Sequence, residues 1–133
     1  MRLLTVDEVI RIQKSTLPKS GEPNIDKLSG ALGRVQSLID YENCDDLFDL
    51  AGMYLVAIAK AHAFNDANKR TAFQAATIFL KLNNIKLFPS VYLVKLTILS
   101  AMGEFDYKQA SATLRILSDY RDDLVEETSS GYI

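Results

Sequence analysis

Apolar side chains recur along this chain at intervals of three and four rather than two, the spacing of a helix face. Only three prolines and six glycines punctuate it, so the pattern predicts an all-α fold, a compact single-domain bundle of about six helices. Thr5 opens the first: its hydroxyl can accept from the Glu8 amide while Glu8 reaches back, and Val6, Val9 and Ile10 follow on one face. That helix is expected to end before Pro18. Leu17 to Asn24 gathers two prolines and a glycine and is the clearest loop. A second helix is expected from about Asp26 to Asp40, where Gly30 and Gly33 each cost about 1 kcal/mol against alanine and so predict a close neighbour.

After Asp45 and Asp46, a pair suited to a helix start, the residues from Leu47 to Ala61 leave almost no polar face and predict the buried centre of the fold. A fourth helix, Asn68 to Leu82, carries Ala72, Ala75, Ala76, Phe79 and Leu80 at helical spacing and is expected to lie against the third. Asn83 and Asn84 end it, and Ile85 to Phe88 form an extended connector before Pro89. Two further helices are expected, Ser90 to Met102, stopped by Gly103, and Tyr107 to Leu124, opened by Asp106 with Gln109 three residues on. The domain then covers residues 1–125, and the polar tail 126–133 is expected to fray.

Composition narrows the class. At 133 residues, 48% apolar and 24% charged, the chain can bury roughly two-thirds of its unfolded surface without a disulfide or metal staple. Cys44 is its only cysteine, so an intrachain disulfide is excluded and a reducing, cytoplasmic setting is expected. A net charge of −2 supplies no global basic field, which argues against direct nucleic-acid binding and against an anionic membrane surface. The amino terminus lacks a signal peptide's apolar stretch, and no run approaches the ~18 apolar residues of a membrane span.

One segment departs from this pattern. Lys60-Ala61-His62-Ala63-Phe64-Asn65-Asp66-Ala67-Asn68-Lys69-Arg70 holds the only histidine, a carboxylate, two amides and three cations between two apolar helices. A turn over Asn65 to Asn68 followed by a helix start presents backbone amides and the positive end of a dipole, which favour an anion. Lys69 and Arg70 oppose that dipole unless a negative ligand offsets them. Asp66 can hold Mg²⁺, which takes one or two carboxylates beside ligand phosphates. His62, beside that helix start and its cations, is expected to be a neutral imidazole able to take a proton from an attacking hydroxyl. Singly, each residue has a plainer reading: a hydrogen-bonded structural histidine, a core plug at Phe64, solvated cations at Lys60, Lys69 and Arg70. One histidine, one distant cysteine and one carboxylate make no recognised zinc set. The ordered combination is what points to phosphate chemistry.

That combination, His62-Ala63-Phe64-Asn65-Asp66-Ala67-Asn68-Lys69-Arg70, resembles the signature of the Fic/Doc family, His-x-Phe-x-(Asp/Glu)-Gly-Asn-Gly-Arg-x-x-Arg, in gapless register at His, Phe, Asp, Asn and the first Arg. Ala67 and Lys69 stand in place of its two glycines and Phe73 in place of its last arginine, departures that resemble the Doc toxin branch, as do Gly33-Arg34-Val35-Gln36 and Asp46-Leu47-Phe48. The resemblance implies a nucleotide bound with its γ-phosphate exposed, and hence protein phosphorylation from ATP with Mg²⁺. It makes His62 the base, Asp66 the Mg²⁺ ligand, and Asn65, Ala67, Asn68, Lys69 and Arg70 the nucleotide-binding set. Lys60, where the branch commonly has arginine, is added to that set but lacks the bidentate fork.

It implies further that the substrate is a threonine of elongation factor Tu, that translation arrest makes the protein the toxin of a toxin–antitoxin pair, and that a Phd-like antitoxin folds a helical segment into an apolar groove. The first two helices and the loop at 17–24 are the candidates for that groove. The family's inhibitory pattern (Ser/Thr)-x-x-x-Glu-(Gly/Asn) finds no match, since Leu38 stands four residues before Glu42-Asn43. AMP transfer by a divergent Fic enzyme and a catalytically silent Fic-fold co-repressor module are the competing expectations.

Overall fold

Five of the six helices begin where a side chain stands ready to accept a backbone amide. In the computed structural model, which describes residues 1–64 and 67–121, α1 (Val6–Thr16) follows Thr5, whose capping box with Glu8 is complete. Asn24 caps α2 (Ile25–Glu42), Asp46 caps α3 (Leu47–Ala61), Ser90 caps α5 (Val91–Ala101) and Asp106, again with a full capping box through Gln109, caps α6 (Tyr107–Ile116). Each such cap satisfies an amide that the first helical turn leaves without a partner, worth about 1 kcal/mol. The exception is α4 (Asn68–Leu82), which starts at Ala67 with no side-chain cap.

Every residue from Leu50 to Ala59 is buried, so α3 is the axis of the bundle as its missing polar face predicts. It touches α2, α4, α5 and α6, and α1 closes the outside against α4 and α2. The small faces of Ala72, Ala75 and Ala76, all buried, bring α4 close to it. Tyr54 sits at the centre with its ring 5.0 Å from that of Phe79. Its hydroxyl accepts the buried amide of Leu4 at 2.9 Å, tying the amino-terminal segment to the axis. On the far side, Lys108 of α6 reaches Asp49 of α3 at 2.8 Å. Burial alone would push that carboxyl up, but hydrogen bonds from Lys108 and Ser111 outweigh it and hold Asp49 below the ordinary carboxylate range.

Two expectations fail on tertiary grounds. A Cβ added at Gly30 or Gly33 would meet nothing within 4 Å, so no neighbour approaches α2 there. The close approach falls at Gly52 of α3, where a Cβ would lie 2.5 Å from the Tyr107 carbonyl oxygen and 3.0 Å from the Ser111 amide. The sixth helix also stops at Ile116, short of Leu124. Its chain turns aside to pair with the extended connector: Leu87 and Ser118 form an isolated antiparallel bridge, with Phe88 N–H donating to Leu117 at 2.8 Å and Asp119 N–H to Lys86 at 2.9 Å. Those bonds satisfy the connector's backbone, which a continuing helix would leave bare. Residues 122–124 and the tail expected to fray, 126–133, lie outside the described residues. Among the described residues no helix is long and apolar enough to cross a membrane.

Candidate active site

The axis helix ends in an unusual conformation. His62 follows Ala61 as the C-cap of α3 at φ 51°, ψ 39°, the left-handed region that histidine enters more readily than most non-glycine residues. That sharp exit throws the imidazole outward, and His62 is exposed while Ala63 and Phe64 directly after it are buried. Phe64 is thus the expected core plug, and it anchors the turn.

Two hydrogen-bonded ties hold the turn. The side-chain amide of Asn68 reads the backbone of Phe64 twice, accepting its N–H at 3.0 Å and donating to its carbonyl at 2.7 Å. From the other side, Asn24 N–H donates to Ala63 C=O at 2.6 Å. Asn24 ends the loop at 17–24, which is itself pinned by Gln13 Nε2 donating to Ser20 Oγ and, at 3.2 Å, to the Gly21 carbonyl. Asn24 was not foreseen as a site residue, since nothing local signals that its amide meets Ala63.

The tie to Asn24 is testable because this chain has one histidine. Proline accepts a φ near the −82° of Asn24 but has no N–H. Asn24→Pro is therefore expected to shift the single imidazole resonance in an NMR spectrum, whereas Asn24→Ala, which loses only the cap and about 1 kcal/mol, leaves it in place. Identical spectra for the two variants reject the tie.

Beyond the turn, α4 offers an amino terminus with no side-chain cap and no acid in its first turn, and Lys69 and Arg70 stand exposed on it. Helix geometry aims its first amides and positive dipole end at whatever lies ahead. Ala67 is fully buried at φ −107°, a conformation open to any residue, so alanine carries no strain where the general Fic signature has glycine. Lys69 and Arg70 line a cleft of about 540 Å³ with Thr16, Phe73, Gln74 and Val94. Phe73, in the place of the signature's last arginine, gives that cleft an apolar wall.

The expected site residues are not all brought together. His62, Ala67, Asn68, Lys69 and Arg70 share the α3–α4 turn, but Lys60 lines a separate notch of about 130 Å³ with Arg34, Met53, Val56, Phe105 and Tyr107. Asn65 and Asp66 lie outside the described residues. Among the described residues no group of three His, Cys, Asp or Glu side chains converges on a point that could hold a metal ion.

An exposed imidazole at the end of the axis helix, ahead of a basic helix amino terminus, is thus set in an all-helical bundle wrapped on one apolar axis. The model of the Fic/DOC family matches residues 3–80, and the chain belongs to that family. It is similar to Protein kinase doc of Escherichia phage P1, 38% identical over 123 residues that cover 88% of this chain and 96% of that protein.

Proposed function

We propose that this chain is a protein kinase that moves the γ-phosphate of ATP to a threonine hydroxyl of elongation factor Tu, arrests translation in the cytoplasm, and is the toxin of a toxin–antitoxin pair. The observation that carries the reading is the outward-facing His62 beside the uncapped, basic amino terminus of α4. The kinase named among its relatives supports it over most of the chain's length.

In this reading the amides of Ala67 and Asn68 at the start of α4 face the nucleotide's phosphates, and Lys69 and Arg70 neutralise their charge. Asn65 completes the loop around them. Asp66 would hold Mg²⁺, which when bound offsets phosphate charge and fixes phosphate geometry. Asn68 acts chiefly on the chain itself: with its amide committed to Phe64, it keeps the turn shut under His62. The imidazole takes the threonine proton as the hydroxyl oxygen bonds to the γ-phosphorus, the β–γ bridge bond breaks, and ADP leaves. AMP transfer would need the triphosphate seated the other way round. Phe73 removes the cation that the general signature places at the far end of the cleft, and Lys69 fills the space of a glycine.

Incubation with elongation factor Tu and ATP labelled separately at the γ- and α-phosphate tests the assignment. Label is expected on the protein from the γ position only. Transfer from the α position establishes AMP transfer instead, and transfer from neither leaves the silent module.

Of the candidates for the antitoxin's groove, the first helix supports the reading best. The open apolar surface runs between α1, α4 and α5: Ile12, Thr16, Gln74 and Ile78 line one stretch, and Phe73, Val94, Thr97 and Ile98 the next. Val94 is 59% exposed although α5 is apolar on nearly all sides, and Lys69 and Arg70 flank it. Such a surface suits an amphipathic helix with acidic flanks. Ile12→Asp with Ser15→Asp, in the stretch away from Lys69 and Arg70, is expected to leave growth arrest intact and abolish its relief by the co-expressed antitoxin; relief equal to that of the parent chain places the groove elsewhere.

A further inference from the structure

The notch that holds Lys60 is a site of its own. Arg34 reaches it from α2 and Lys60 from the last turn of α3, 26 positions apart in sequence, and Met53, Val56, Phe105 and Tyr107 wall it. Among the described residues no acid lies within ion-pair distance of either cation, since the three ion pairs found there involve Arg2, Lys108 and Arg115. Asp106 is the one acid in the lining, and it is turned to its own helix, where its Oδ1 accepts Gln109 N–H at 2.9 Å. Two like charges facing one small space repel each other unless an anion joins them, and a carboxylate there forms a charge-assisted hydrogen bond with either cation.

Size decides what that anion is. At about 130 Å³ the notch falls well below the roughly 300–1,000 Å³ of sites that enclose ligands the size of a nucleotide, but it is ample for one acidic side chain. Location agrees: Lys60 precedes His62 by two residues, whereas Lys69 and Arg70, which follow the turn, line a different cleft. We propose that the notch formed by Arg34 and Lys60 binds a carboxylate side chain of the protein substrate, docking it across the α3–α4 turn so that its hydroxyl meets His62. This rests on the kinase reading for the identity of the bound protein, but not for the existence of the site. It moves Lys60 from the nucleotide-binding set to the substrate-docking one, and it gives a role to Arg34, which the Gly-Arg-Val-Gln stretch contained without one.

Two measurements separate the site from the activity. In the ¹⁵N-labelled full chain, N-acetyl-glutamate methylamide, a probe with one carboxylate, is expected to shift the amides of Gly103 to Tyr107 and the Arg34 side chain saturably. Arg34→Gln and Lys60→Gln, both at exposed positions, are each expected to weaken that binding about tenfold, the share of one charge-assisted hydrogen bond. Mg-ATP is expected to shift residues 67–73 and not the notch. Absence of a saturable shift, binding by either variant as tight as by the parent chain, or Mg-ATP titrating the notch overturns the proposal, the last by giving the anion to the nucleotide. In the transfer assay Arg34→Gln is expected to raise KM for the protein substrate about tenfold and to leave kcat and KM for ATP as they were. A rise in KM for ATP alone also overturns it. If the parent chain transfers no phosphate, the kinase reading fails and the NMR titration still decides the notch.

Discussion

Replacing His62 by asparagine is expected to cut phosphate transfer by about 10²–10⁴-fold, the usual worth of a positioned general base, and to abolish growth arrest on induction, while the fold survives. Asparagine is the informative choice because position 62 is held at φ 51°, and asparagine tolerates the left-handed region better than alanine does. It therefore keeps the exit from α3, the hydrogen bond from Asn24 to Ala63 and the Asn68 clamp on Phe64, and removes only the imidazole. Loss of transfer at an unchanged melting temperature identifies a chemical role. Transfer within a factor of about ten of the parent is less than a general base contributes; it assigns His62 to the structure and leaves the proton to another group. His62→Gly is the complement: it relieves the backbone strain, is expected to be as stable as the parent or slightly more so, and is equally inert.

Sequence patterning placed what depends on neighbours in the chain. Helix starts were legible because a cap is local: Thr5 with Glu8, Asp46, and Asp106 with Gln109 announce themselves within four residues. The axis helix was legible because burial on all sides leaves no polar stripe to hide. The candidate site was legible only as an inventory between two apolar helices, the single histidine close to Lys69 and Arg70. What could not be read depends on partners far away in sequence. The end of α6 is set by the bridge from Leu87 to Ser118, the footing of the turn by Asn24 meeting Ala63, and the split between Lys60 on α3 and the Lys69–Arg70 pair on α4 by the different helices that pack around each. Left-handed His62 is a further case, since no residue around it demands that conformation before Phe64 is buried.

Glycine shows the same division most sharply, and it yields the prediction with the largest effect on stability. A glycine in a helical pattern says that a Cβ is missing without saying whether anything occupies its place. At Gly30 and Gly33 the space is open, so Gly30→Ala and Gly33→Ala are each expected to stabilise the protein by about 0.5–1 kcal/mol through helix propensity and a less flexible unfolded chain. At Gly52 the sign reverses. A Cβ there would stand 2.5 Å from a backbone oxygen and 3.0 Å from a backbone nitrogen of α6, atoms that cannot rotate away as a side-chain tip can. Helix α6 would have to withdraw, opening the contact that also carries the Lys108–Asp49 bond. The same gain in propensity applies, so net destabilisation of about 1–3 kcal/mol is expected for Gly52→Ala, in the range of overpacked cores. Gly52→Val adds two more carbons and is expected to exceed that by enough to consume most of a typical stability of about 5–15 kcal/mol. Urea unfolding of the three alanine variants provides the check. Midpoints rising at positions 30 and 33 and falling at 52 support the packing of α6 on α3, and a midpoint at 52 that rises with the others shows that the two helices are further apart than this structure places them.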